Sequence, residues 1–180
     1  MVRRPPSRTS VLIAISLLVA FVIWTWLTFT SAAFAAFDMR TLAPAVDPDS
    51  PTAEIAAAFA LLTWPGLEYA ALGAIALWAV RRRLRQLAVA LVLVIAFGWG
   101  GVTLLKFTFQ RPRPEQALDL LTAIGYAYPS GHMTGVVATS IAVGATFAVT
   151  RQSVQARIWW QVGSGLLVIA VAVNRWITGA

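Results

Sequence analysis

The chain has 180 residues, 59% of them hydrophobic, and a mean hydropathy of +0.75. Its apolar residues come in long unbroken blocks, which excludes an ordinary soluble domain and fits a membrane protein. The net charge of +7 and a pI near 11.3 would fit a nucleic-acid binder only if the basic side chains lined one water-facing surface, whereas they sit between the apolar blocks. The absence of cysteine removes any disulfide framework or thiolate metal site, and a single histidine among seven scattered acids argues against zinc.

No charge falls between Arg8 and Asp38, and Val11 to Thr30 supplies the roughly twenty apolar residues that cross a hydrocarbon core about 30 Å thick. Residues 11–30 are therefore the first predicted span. Its basic start and the Ala33-Phe34-Ala35 that follows also resemble a signal peptide with a cleavage site, but the apolar run is long for that, which favours an uncleaved anchor. Asp38 to Ala53, with Pro44, Pro48 and Pro51, reads as a polar external loop.

The second span, 62–80, is less regular, because Trp64-Pro65-Gly66 and the acid Glu68 interrupt it. Ile55 to Leu62 reads as an interfacial segment leading into it. Glu68 would then lie in the outer half of the bilayer, either facing a polar cavity and an arginine or resting near the headgroups, the reading favoured here. Residues 86–105, 133–150 and 158–174 complete a predicted all-α membrane bundle of about five spans, each bracketed by a charged residue or His132. The whole chain reads as one membrane domain.

Basic residues orient these spans. A cytoplasmic N-terminus puts nine of them (Arg3, Arg4, Arg8, Arg81, Arg82, Arg83, Arg85, Arg151, Arg157) inside and five (Arg40, Lys106, Arg111, Arg113, Arg175) outside. RRRLR at 81–85 is thus a topology signal rather than a nucleic-acid patch, and no nucleic-acid partner is expected. Tyr126, Tyr128 and Trp176 at one membrane boundary, with Trp159 and Trp160 at the other, suit aromatic belts.

Four of the outer cations, Lys106, Arg111, Arg113 and Arg175, flank span ends. Each alone would pass for a snorkelling anchor. In KFTFQRPRP, however, Pro112 and Pro114 stiffen the chain around Arg113, and the next span opens on the same side with PSGH. Ser130 is a natural N-cap, Gly131 admits close backbone approach, and the unbonded N–H groups of a helix start favour an anion. A basic clamp facing such a terminus suits phosphate. His132, in that first turn, reads either as a hydrogen-bonded bystander or as a group placed to give a proton to a leaving oxygen.

The arrangement resembles the type 2 phosphatidic acid phosphatases, a family that also includes vanadium-dependent haloperoxidases, whose pattern is K-x6-RP, then PSGH, then SR-x5-H-x3-D. Lys106, Arg113 and Pro114 match the first motif, residues 129–132 match the second in full, and Arg175 matches the arginine of the third, with Asn174 in place of the serine. The resemblance implies that Lys106, Arg113 and Arg175 bind phosphate oxygens, that Ser130 and the Gly131 amide add hydrogen bonds, and that His132 is the general acid. It implies no metal and no cofactor, since the cations are side chains.

In the family a histidine in the third motif is the nucleophile and a later aspartate orients it. Five residues follow Arg175, so neither position falls within the chain, nor does the family's sixth span. The expectation is a phosphatase truncated within its third motif, inactive or weakly active. The resemblance and the membrane setting imply a lipid phosphate or isoprenyl diphosphate substrate, such as phosphatidic acid or phosphatidylglycerol phosphate. They also imply a plasma-membrane location with the site on the extracytoplasmic face. The alternative is a non-catalytic membrane protein that keeps the anion site. Membrane spans argue against a haloperoxidase, and a transporter is disfavoured because only the span with Glu68 carries an internal charge.

Overall fold

The computed structural model describes residues 8–41, 46–113 and 125–178. Arg3, Arg4, Pro44, Pro114, Glu115 and Asp119 of the sequence reading lie outside them. The described residues form α-helices with one π-helical turn and no strands. Among them, four helices are long and apolar enough to cross a membrane, or five if one bent pair counts as a single span.

That bent pair is α1 (Arg8–Thr30) and α2 (Ala32–Arg40), which turn by 93° at Ser31. Ser31 caps α2 by accepting from the Phe34 N–H, and the Trp24 and Phe34 rings meet edge-on across the bend at 4.8 Å. These helices form one compact unit and the rest of the chain another. Because α2 takes up Asp38 to Arg40 and the next helix begins at Pro51, the stretch read as a loop is shorter than predicted.

In the second unit, α3 (Pro51–Leu62) and α4 (Pro65–Arg81) cover the predicted interfacial segment and span. Both start on proline, which loses nothing at a helix start because its missing N–H would be unbonded there anyway. Together they pass as one 31-residue apolar span, broken at Thr63 and Trp64. The break follows from Pro65: with no N–H to offer Leu61, the preceding Trp64 N–H turns back to the Leu61 carbonyl at 3.2 Å.

Next, α5 (Arg85–Ile95) runs through a π-turn at Ala96–Gly100 into α6 (Gly101–Phe109). Gly98 makes room for the Tyr69 hydroxyl, which would lie 2.5 Å from a Cβ there. The last helices are α7 (Gly131–Val149) and α8 (Val154–Ile177), capped by the Ser130 and Ser153 hydroxyls.

The α4–α5 and α7–α8 turns share one device. Leu84 N–H reaches the Ala79 carbonyl and Arg83 N–H that of Val80, while Gln152 and Arg151 repeat the pattern on Phe147 and Ala148. These are Schellman closures, with Arg83 (φ 59°) and Arg151 (φ 55°) in the left-handed position that glycine usually fills.

The core joins α4, α5 and α7. Tyr69, Leu72, Ala76 and Ala79 of α4 recur at alternating three- and four-residue intervals and bury against Leu87, Ala88 and Leu91 of α5 and Ala142 of α7. On α3 the buried positions are Ala53, Ala56 and Ala60, small residues on one face that allow close helix approach. Large apolar side chains such as Phe97, Leu104, Ile141, Leu166 and Ile169 are more than half exposed, as the lipid-facing surface of a membrane protein requires.

Candidate functional site

The site is assembled by a returning segment of chain. Lys106 stands in the last turn of α6, which ends at Gln110 in the left-handed conformation (φ 46°), and Arg113 lies just beyond. The described chain resumes at Gly125, where φ is 95° and a side chain would be strained. From there it is tied along the end of α6. Ala127 N–H donates to the Arg111 carbonyl at 2.9 Å, the Lys106 ammonium to the Tyr126 carbonyl, and Arg113 Nε to the Gly125 carbonyl at 3.3 Å. Phe107 packs on Tyr126 and Phe109 on Tyr128, with centroids 6.2 and 5.6 Å apart. These ties set PSGH beside the two cations.

Ser130 caps α7 as the sequence predicts, its Oγ accepting from the Met133 N–H at 3.4 Å while its carbonyl accepts from the Thr134 N–H and hydroxyl. The first amides of a helix have no intrahelical acceptor, so those of Gly131 and His132 are available to an anion. A Cβ on Gly131 would meet only the Pro65 ring, at an ordinary 3.6 Å. The fold itself does not demand glycine at 131.

His132 is half-buried, and its Nε2 lies 3.2 Å from the Ala60 carbonyl. A carbonyl only accepts, so Nε2 carries the proton and Nδ1 is the nitrogen left for proton exchange. That carbonyl is available because Trp64 has turned to Leu61 at the Pro65 break. The charges of Arg175, Arg113 and Lys106 all act on the His132 ring. Lys106 and Arg175 each also lie in the field of Arg113. Three cations from α6, the segment after it and α8 thus converge on the first turn of α7. Their mutual repulsion leaves the cluster suited to an anion that bridges them.

Arg175 reaches this point from the last turn of α8, held by its neighbour. The Asn174 side chain, 8% exposed, donates from Nδ2 to the Ala56 carbonyl at 3.1 Å and accepts on Oδ1 from Arg175 Nε at 3.2 Å and from Nη2. In the sequence Asn174 stood out only as a departure from a motif. A polar amide inside an apolar span was the signal that it had a partner.

Glu68 turns inward to the helix interface, toward α7. Among the described residues its buried Oε2 has no hydrogen-bond partner, and it rests on Gly135, one turn into α7 beyond His132, where a Cβ would come within 2.1 Å of it.

Residues 84–180 match the family model of the PAP2 superfamily. The chain belongs to the PAP2 superfamily. The matched residues carry Lys106, Arg113, Ser130, Gly131, His132 and Arg175, and membership suggests phosphatase-type activity. Helix α3 precedes them, so the two carbonyls that hold His132 and Asn174 come from a part of this PAP2 protein outside the match. No curated protein and no solved structure matches the chain.

Proposed function

We propose that this PAP2 protein recognises the phosphate or diphosphate headgroup of a membrane lipid. Lys106, Arg113 and Arg175 take the phosphate oxygens, the Ser130 hydroxyl and Gly131 amide add hydrogen bonds, and His132 gives a proton to the leaving oxygen. The observation that carries this reading is the convergence of the three cations on His132 at the start of α7. A lipid substrate suits the setting, because a tail can stay in the bilayer beside exposed apolar helices while the headgroup reaches a cluster at the span ends. The inside rule supports a cytoplasmic N-terminus, and with it a site on the extracytoplasmic face of the plasma membrane.

Hydrolysis through a phosphohistidine needs one imidazole as nucleophile and another as acid, and these 180 residues hold one histidine. Loss of a covalent nucleophile can cost on the order of 10⁶ in rate. We therefore propose that these 180 residues, taken by themselves, recognise phosphate and turn it over very slowly. A second reading of the same 180 residues is an anion site that binds without turnover.

The purified chain in vesicles carrying phosphatidic acid, phosphatidylglycerol phosphate or an isoprenyl diphosphate tests both. Saturable orthovanadate binding, lost in Lys106→Ala and Arg113→Ala, is the expected result, and its absence would remove the site. Phosphate release above the protein-free rate, abolished by His132→Ala, separates slow catalysis from binding alone. Release at the rate of an intact lipid phosphatase would overturn the low-activity reading.

A further inference from the structure

We infer that Asn174 is a positioning residue for the phosphate site: it holds the Arg175 guanidinium at a set place relative to His132 without cancelling its charge. The inference rests on the phosphate-site reading above and goes beyond it, since it concerns the residue that stands where the family pattern has serine.

The hydrogen bonds admit one arrangement. The Ala56 carbonyl can only accept and the guanidinium can only donate, so the amide must turn its Nδ2 to α3 and its Oδ1 to Arg175, as found. Two of the five guanidinium N–H groups go to Asn174, which leaves three for an anion. Aspartate could accept the same fork but would neutralise Arg175 beside an anion site. Serine, with one hydroxyl on a shorter side chain, cannot span from the Ala56 carbonyl to both guanidinium nitrogens.

The anchor on α3 gives the contact its geometric meaning. The carbonyls of Ala56 and Ala60 lie one helical turn apart on the buried alanine face, and they hold Asn174 and His132 respectively. One rigid helix thereby sets the spacing between the guanidinium that would grip phosphate and the imidazole that would protonate its leaving oxygen. A free arginine would have to order its side chain on binding, and a guanidinium already fixed avoids that entropic cost.

The test is orthovanadate binding to the full chain in nanodiscs, followed by titration and vanadium NMR, for wild type, Asn174→Leu, Arg175→Ala, Lys106→Ala and the double variants. Asn174→Leu should weaken binding about tenfold, as expected for loss of orientation at one charge-assisted contact. The loss should persist in the Lys106→Ala background and vanish in the Arg175→Ala background. A general loosening of the α3–α8 contact would not depend on Arg175 in this way. Circular dichroism and thermal unfolding verify the fold, and Asn174→Ala takes the place of Asn174→Leu if the leucine variant does not fold. Wild-type affinity in the Asn174 variant, or losses that multiply in the Arg175 double variant, would overturn the inference while leaving the phosphate site standing. No vanadate binding by the wild type would overturn both.

Discussion

His132 Nε2 donates to the Ala60 carbonyl at 3.2 Å, joining the first turn of α7 to the last turn of α3. The contact orients the imidazole and satisfies a carbonyl that the Pro65 break leaves without its usual helical partner. His132→Ala should therefore destabilise the protein by about 1–3 kcal/mol, the usual cost of orphaning a buried acceptor. His132→Gln, whose amide can still donate, should recover most of that stability but none of the proton transfer. Thermal unfolding in detergent, set beside phosphate release, reads both effects, and equal stability of the two variants would show that the contact contributes nothing.

The three cations should behave alike toward an anion although they sit on different elements. Lys106→Ala, Arg113→Ala and Arg175→Ala are each expected to lower orthovanadate affinity by about 10- to 100-fold, from charge-assisted bonds of roughly 1.5–3 kcal/mol. Exposed Arg151, in the α7–α8 turn, should be silent when changed to alanine. A comparable loss from Arg151→Ala would mean that net charge, not a site, governs binding.

Two glycines in one helix should respond in opposite ways. Gly131→Ala meets only ordinary contact at Pro65, so stability should hold while anion affinity falls, because the new methyl shields the amide. Gly135→Ala collides with the Glu68 carboxyl and should destabilise by about 1–3 kcal/mol, as overpacking does. Trimming the acid in Gly135→Ala/Glu68→Ala should restore most of the loss. Unfolding midpoints of the single and double variants measure this, and additive losses would place the strain elsewhere.

The α7–α8 turn offers a gain. Arg151 occupies the left-handed position at φ 55°, which costs a residue bearing a Cβ roughly 1–2 kcal/mol. Arg151→Gly should stabilise the protein by about 1 kcal/mol once the greater freedom of glycine in the unfolded chain is set against that strain. An unchanged or lower midpoint on thermal unfolding would show that the arginine side chain contributes more than its backbone strain costs.

Much of the fold was legible in advance. Uncharged apolar runs set α1, α5, α7 and α8, and Ser130 announced the start of α7. The stretch before residue 62 was harder, because nothing in an alanine-rich run such as Ile55 to Leu62 says which of its faces packs on other helices; Ala56 and Ala60 do. The contact of Glu68 with Gly135 is not legible in the sequence for a related reason: it depends on a neighbouring helix.

By itself, the sequence determined the helical membrane class and marked Lys106, Arg113, Ser130, Gly131, His132 and Arg175 as candidates for a phosphate site. Such features need only near neighbours along the chain, or residue types whose chemistry is unmistakable. Tertiary structure alone decided that α3 holds the site together, through Ala60 to His132 and Ala56 to Asn174, contacts that span 72 and 118 positions. Their acceptors are backbone carbonyls of two alanines, and every residue has a carbonyl. No residue type marks which one will be left without a helical partner or brought beneath a neighbouring helix until the chain has folded.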